Sequence, residues 1–255
     1  MTRLLLVAFL ILLTGLAWVA VAYASLGSSW GQQLGHHALL GARAQPWAVA
    51  VPLFVAAWVV MSAAMMLPTV WPVLDRFAHA AGTQPPRAFF LMMALFIGGY
   101  LAVWGTFGLA AFAGDLVLHW LVETLEPLDR VTPFIGGGVL LLAGAYQFSP
   151  LKEACLSQCQ SPIGFLVRYW RPGLPGALSL GLRHGLFCLG CCWALMLLMF
   201  GVGVTNLAWM LGLALIFYIE KVIVRGVALS RAFGVLFLAG AVAMFLATVP
   251  SPLSL

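Results

Sequence analysis

The chain has 255 residues, of which 64% are hydrophobic and only 7% charged, and its formal net charge is +5. Soluble domains carry about 25% charged residues, so this composition excludes a protein whose surface faces mainly water. Membrane β-barrels alternate apolar and polar residues along each strand, whereas the apolar residues here run in long blocks. The composition therefore predicts an all-α membrane protein.

Seven apolar segments predict a polytopic bundle of about seven transmembrane helices. A helix needs about 20 apolar residues to cross the hydrocarbon core of a bilayer, and the fourth and sixth segments are shorter than the others. No shift in composition divides the chain, so residues 1–255 are expected to form a single integral membrane domain. The segments are Leu4–Ala24, Trp47–Leu67, Ala88–Ala113, Pro133–Phe148, His184–Val204, Asn206–Ile219 and Ala232–Val249.

The first segment, residues 4–24, allows two interpretations. Arg3, the long apolar run and an A-x-A sequence at Ala22 and Ala24 resemble a signal peptide with its cleavage site. The apolar run is longer than the usual signal-peptide core of about 7–15 residues. We therefore expect an uncleaved first helix, and cleavage would leave six helices in the same orientation.

Basic residues fall almost entirely on one side of this topology. With seven spans, the N-terminus and the loops at 68–87, 149–183 and 220–231 share one side. The positive-inside rule then places the N-terminus in the cytoplasm and the C-terminus in the periplasm of a bacterial inner (cytoplasmic) membrane. Anionic lipid headgroups also favour this charge, so no nucleic-acid partner is needed to explain it. The residues on that side are Arg3, Arg76, Arg87, Lys152, Arg168, Arg171, Arg183, Lys221, Arg225 and Arg231, against Arg43 and Arg130 on the other.

All five cysteines are predicted to lie on the cytoplasmic side. Cys155 and Cys159 lie in the loop "SPLKEACLSQCQSP", and Cys188, Cys191 and Cys192 lie in the cytoplasmic half of the fifth helix. The cytosol keeps thiols reduced, and clustered reduced thiols indicate metal binding or redox chemistry. A single buried cysteine is usually a small hydrophobic residue, whereas three within five positions favour a functional interpretation.

The thiols of the fifth helix share a face with a histidine. At about 100° per residue, His184, Cys188 and Cys191 fall within an arc of about 60°, and Cys192 and Met199 widen it to about 100°. One helix cannot easily complete a tetrahedral shell, because successive residues climb about 1.5 Å each. We therefore expect the two loop cysteines to complete a joint site.

Methionines are predicted at the same depth in the membrane. Met61, Met65 and Met66 end the second segment, and Met92 and Met93 begin the third. Methionine often fills gaps in a core, but thiolates and thioethers together select Cu(I), with zinc as the main competitor at thiolate sites. The sequence therefore predicts a soft-metal site for Cu(I), with zinc as the alternative.

An acidic–basic pair, Glu220 and Lys221, closes the sixth segment. Charged residues inside a membrane are costly unless they face protein or water. Glu220 is either a cation or proton site beside the sulfur cluster or a residue at the membrane interface. Lys221 is explained by snorkelling of its ammonium to the interface.

The motifs "AAMMLP", "GGYLAVW", "SPLKEACLSQCQSP" and "GLRHGLFCLGCCWALMLLMF" resemble those of a bacterial family of predicted metal-binding integral membrane proteins, classed as a domain of unknown function. The resemblance covers residues 47–250. It departs at Gln160, where family members often have a basic residue. The resemblance implies metal binding, but neither an ion nor a reaction. The family motifs correspond here to Met61, Met65, Met66, Cys155, Cys159, His184, Cys188, Cys191, Cys192, Glu220 and Lys221.

The leading hypothesis is a membrane protein that binds a soft metal for handling or transport. Its expected partners are the lipid bilayer, the metal ion and a membrane protein or metallochaperone, and its oligomeric state stays open. The sequence carries no P-loop, HExxH or nucleophile elbow, so nothing in it indicates ATP-driven transport or hydrolysis. Whether the chain is an enzyme is left open.

Two other functions stay open. Cys188 and Cys191 form a CxxC, a spacing that supports thiol–disulfide exchange at a helix start, with the loop cysteines as a relay pair. Small residues such as Gly98, Gly99 and Gly203 favour close helix contact. They fit a structural or assembly subunit of a membrane complex equally well.

Overall fold

The computed structural model of the protein describes residues 2–26, 46–124, 132–202, 206–223 and 227–248, and within these ranges it contains helices and no strand. The predicted all-α class is confirmed for this part of the chain. Arg43, Arg130, Arg225 and Gly203 lie outside it. The helices are α1 (Thr2–Ser25), α2 (Trp47–Ala81), α3 (Pro86–Thr124), α4 (Thr132–Tyr146), α5 (Pro150–Gln160), α6 (Pro162–Tyr169), α7 (Gly173–Val202), α8 (Leu207–Tyr218), a π-helix (Ile219–Ile223) and α9 (Ala228–Thr248).

Each predicted apolar segment lies mainly in a helix, and five helices are long and apolar enough to cross a membrane. This criterion is one of length and composition. Many large apolar side chains on these helices are exposed, including Phe9, Leu12 and Leu246, as lipid contact requires. The seven-span topology and its orientation stay predictions. The five spans are Val7–Ser25, Trp47–Ala81, Pro86–Leu118, Gly173–Met199 and Ala228–Ala247, and Ile135–Tyr146 is a shorter apolar helix.

The loop predicted at residues 68–87 is wrong, because α2 continues to Ala81 with Pro68 and Pro72 inside it. Proline removes a backbone donor and usually interrupts a helix. In apolar surroundings, neighbouring groups can satisfy the freed carbonyls. Val70, Leu74 and other side chains of this stretch are buried, so tertiary packing holds α2 helical beyond its prolines.

Glycines let α3 and α7 approach closely along their length. A methyl group on Gly181 would overlap the carbonyl oxygen of Phe96, and one on Gly99 would lie 2.9 Å from the carbonyl oxygen of Leu178. Small residues allow such backbone contact between membrane helices. Gly99, which the sequence left open to either self-packing or partner binding, is therefore used within the chain. The contact brings Tyr100 of α3 against the cysteines of α7.

This contact predicts a strong effect of Gly181→Ala. The added methyl group meets backbone, which cannot rotate away, so overpacking should destabilise the protein by about 1–3 kcal/mol. Gly98→Ala is the matched control, because nothing lies within 4 Å of a methyl group there and alanine favours helix. Thermal unfolding in one detergent compares the two variants. Equal unfolding temperatures would contradict the close α3–α7 contact.

Candidate metal centre

Three buried thiols of α7 gather at one helical turn. Cys188, Cys191 and Cys192 are each 1% exposed, and all are free thiols. Cys191 Sγ and Cys192 Sγ donate to the carbonyl oxygen of Cys188 at 3.1 and 2.9 Å. These local bonds hold both side chains against the preceding turn. The result is a compact group of sulfur atoms in the protein interior.

The loop predicted at residues 149–183 is wrong over residues 150–160, which form helix α5. The Ser149 side chain caps it by accepting from the backbone N–H of Leu151, and Pro150 is its first residue. Serine caps and N-terminal prolines both favour helix starts. The CxxxC spacing then places Cys155 and Cys159 one turn apart on the same face.

Helix α5 packs along α7 and brings its cysteines to the sulfur group. Cys159 is buried, and its thiol shares a hydrogen bond with that of Cys191. Cys155 lies at the edge, half-buried, where its Sγ would be 2.5 Å from a methyl group on Gly190. The hydroxyl of Tyr146 on α4 donates to the carbonyl oxygen of Gly190.

The two α5 thiols lie outside the candidate membrane spans and are protonated at neutral pH. The hydrogen bond with Cys191, together with burial, raises the pKa of Cys159 well above its ordinary value. Burial raises the pKa of Cys155. A thiol must lose its proton to bind a metal, so either thiol would release a proton on joining a metal shell.

The ammonium of Lys221 lies among the sulfur atoms. Its Nζ is 3.0 Å from Cys188 Sγ, 3.5 Å from Cys192 Sγ and 3.5 Å from Met66 Sδ. The prediction that Lys221 snorkels to the interface is therefore wrong, since the residue is 5% exposed. The π-helix at residues 219–223 directs it inward, where sulfur atoms from α2 and α7 accept from it.

Tyr100 is a residue of this centre that the sequence did not indicate. Its hydroxyl lies 3.0 Å from Cys188 Sγ, and the side chain is fully buried. A buried tyrosine hydroxyl usually has a hydrogen-bond partner. The available signal was a polar group inside an apolar segment, directly after two glycines in "GGYLAVW".

Glu220 forms a buried ion pair with Lys152. Lys152 Nζ lies 2.8 Å from Glu220 Oε2, and the two side chains are 2% and 1% exposed. The carboxylate of Glu220 therefore meets Lys152 of α5 in the protein interior, and both interpretations of Glu220, as a cation or proton site and as a residue at the membrane interface, stay predictions. Gln160, at the position where the similar family often has a basic residue, donates from Nε2 to the main-chain oxygen of Glu220 at 2.8 Å.

A small polar cavity lies beside Lys152. Gln147, Ser149 and Ser230 help to line it, and it has room for about one water molecule. The side-chain amide of Gln147 and the hydroxyl of Ser230 are buried with no hydrogen-bond partner in the described part of the chain. A bridging water would satisfy such groups.

The remaining predicted ligands lie in other surroundings. His184 packs among aromatic rings, with ring centroids 5.0 Å from Phe165 and 6.0 Å from Tyr100. Its Nδ1 has no hydrogen-bond partner among the residues that the structure describes. Met61 and Met65 are buried in the apolar core along α2. Of the three methionines of α2, Met66 is the one with a contact to the Lys221 ammonium.

The donor set suits a soft ion, although its arrangement is centred on an ammonium. Within the described ranges, no group of three or more His, Cys, Asp or Glu side chains is arranged to hold a metal ion. Cys188, Cys192 and the thioether of Met66 nevertheless surround the position of Lys221 Nζ. Thiolates and thioethers select Cu(I) over harder cations.

Comparison with known proteins supports a copper function. A family model described as PpoB2, copper chaperone, matches residues 55–244. No curated protein and no solved structure matches the chain. The matched range includes all five cysteines, Met66 and Lys221, and it covers well over half of the 255 residues. The chain belongs to the PpoB2 copper chaperone family.

Proposed function

We propose that the protein binds Cu(I) at the sulfur cluster formed by Cys188, Cys192 and Met66 and passes it to a partner protein. The observation that carries the proposal is the convergence of thiols from α7 and a thioether from α2 on one cation position. Soft sulfur donors favour Cu(I), with zinc as the competitor. Membership of a copper chaperone family supports the same ion.

The other sulfur atoms would assist loading and release. Cys191 and Cys159 share a hydrogen bond beside the cluster, and Cys155 lies half-buried at its edge. In this proposal the α5 thiols receive the ion and the α7 thiols hold it. His184, Met61, Met65 and Glu220 have supporting positions, because their described contacts are with aromatic rings, the apolar core and Lys152.

The proposed location is a bacterial inner membrane. Seven helices in a single domain, with a family-like core at 47–250, would place the N-terminus and the sulfur cluster on the cytoplasmic side. Five helices of sufficient length and apolarity support membrane insertion. The concentration of basic residues on one side of this topology supports the orientation. A cytoplasmic cluster would receive Cu(I) in a compartment that keeps thiols reduced.

Metal loading of the purified protein tests the function. The full chain is purified anaerobically in detergent, loaded with Cu(I) or Zn(II), desalted and analysed for metal per chain. Competition with a colorimetric Cu(I) chelator then gives the affinity. We expect about one tightly held Cu(I) per chain and weaker retention of zinc. Sub-stoichiometric amounts of both metals would contradict the proposal.

Thiol–disulfide exchange is the second candidate, and the contact between the Cys159 and Cys191 thiols favours it. Such a pair is a place where a disulfide could form during electron transfer. Rapid alkylation of cells, followed by mass spectrometry of the cysteine peptides, tests this. An oxidised fraction that shifts with growth conditions would support an oxidoreductase. Constant full reduction together with copper loading would support the chaperone.

A further inference from the structure

We propose that Lys221 is an internal competitor for the metal. Its ammonium holds the cation position of the sulfur cluster in the metal-free protein and must leave before Cu(I) binds. This inference rests on the proposed copper function and adds a residue that controls the affinity and exchange of the ion. Lys221 would compete with the metal and would not be one of its ligands.

Three sulfur atoms from two helices lie 3.0–3.5 Å from a single nitrogen atom, Lys221 Nζ. Metal–thiolate bonds are shorter, about 2.3 Å for zinc. An ion bonded to Cys188, Cys192 and Met66 together must lie among their sulfur atoms, where the ammonium lies. The ion and the ammonium therefore exclude each other.

A buried charge is costly unless the surrounding groups compensate it. The lysine ammonium and Cu(I) are both monovalent, so exchanging one for the other leaves the net charge of the cluster unchanged for a given number of thiolates, and each thiol that must ionise to bind the ion releases one proton to solvent. A divalent ion would add one charge to the same interior. Lys221 should therefore favour Cu(I) over zinc as the ion that replaces it.

The surroundings of Lys221 allow its ammonium to leave the sulfur cluster. It lies in the π-helix, two residues before the exposed Ile223, and short π-helical turns are frequent at functional sites. Its Nζ is already 5.5 Å from the centre of the Phe217 ring, an aromatic face that attracts cations. The carboxylate of Glu220 is held by Lys152, so this ion pair does not require Lys221.

A built-in competitor suits a protein that must release its metal. The affinity for Cu(I) is lowered by the cost of displacing the ammonium from its sulfur acceptors. When a partner draws the ion away, the same ammonium can return and replace the lost positive charge. The exchange therefore needs no other cation to enter the protein interior.

Lys221→Leu tests this inference, measured by competition between the full-length protein in detergent and a colorimetric Cu(I) chelator. Leucine removes the ammonium without adding a ligand, whereas methionine would supply a thioether. Loss of charge-assisted hydrogen bonds predicts a dissociation constant for Cu(I) about ten- to a hundredfold lower than that of the parent. Arg231→Leu, which removes an exposed cation away from the sulfur atoms, should leave the constant unchanged.

Comparison of the parent with the variant distinguishes a failure of this inference from a failure of the proposed function. Tighter binding by Lys221→Leu supports the competitor role, even if the parent retains no copper, in which case the function proposed for the natural chain fails. Equal or weaker binding by the variant, with a copper-binding parent, overturns the role of Lys221 alone. No binding by either protein overturns both proposals. If Lys221→Leu is not monodisperse, Lys221→Gln is judged by the same criteria.

Discussion

Replacing Cys188 with serine is expected to lower the affinity for Cu(I) by about a hundredfold or more. Of the three sulfur atoms that accept from the Lys221 ammonium, Cys188 Sγ is the nearest at 3.0 Å, and it also contacts the Tyr100 hydroxyl. Serine keeps the size of the side chain but offers a hard oxygen in place of soft sulfur. Loss of an outer-shell partner alone typically costs about 10–100-fold in metal affinity, so loss of a ligand should exceed that range. Competition with the Cu(I) chelator measures the change.

Cys155→Ser is the matched control for this substitution. The same chemical change is made at a half-buried thiol at the edge of the sulfur cluster, so the affinity should fall by less than about tenfold. Equal losses at the two positions would show that the ion is not centred on α7. Unchanged affinity in Cys188→Ser would remove that thiol from the site.

Breaking the buried ion pair between Lys152 and Glu220 should lower the free energy of unfolding by more than the Gly181→Ala substitution does. Lys152→Met leaves the Glu220 carboxylate buried without its cation, and such losses are about 3–5 kcal/mol. The partners are 2% and 1% exposed and 2.8 Å apart, so water cannot readily take the place of the missing charge. The free energy of unfolding in detergent, followed by circular dichroism with increasing denaturant, measures the effect.

The double variant Lys152→Met/Glu220→Met distinguishes an unpaired charge from lost packing. Replacing both partners by apolar side chains of similar size is often neutral or stabilising, so the double variant should regain most of the lost stability. The exposed pair of Arg231 and Glu153, 3.8 Å apart and 58% and 56% exposed, is the control and should contribute about 0–1 kcal/mol. Additive losses in the double variant would refute this account of the pair.

The sequence predicted which segments are helical more accurately than the residues at which the helices begin and end. The apolar runs at 47–67 and 88–113 predict the cores of α2 and α3, because membrane helices must satisfy their backbone internally. The ends were misjudged where prolines or polar residues suggested loops, as at Pro68 and in the CxxxC segment. In both segments, buried residues nevertheless continue along one face of the helix. Local composition does not reveal which face a neighbouring helix covers.

The sequence by itself determined the class of the protein and the chemistry of its donors. Composition indicates helices in an apolar solvent, and the spacing of Cys188, Cys191 and Cys192 places three thiols near one helix face. These properties depend on residues close together in the chain. Helical periodicity alone relates such positions to one another.

Only the tertiary structure decided which groups meet. It brought Met66 to Lys221 across 155 positions of the chain and Lys152 to Glu220 across 68. It also placed His184 among aromatic rings and Tyr100 on Cys188. Such contacts depend on how closely helices approach and which faces they present, as glycines between α3 and α7 allow. The sequence predicted Lys221 at the membrane surface, whereas its ammonium lies among the sulfur atoms of the cluster. The physical reason is that its position depends on long-range packing and not on any local pattern.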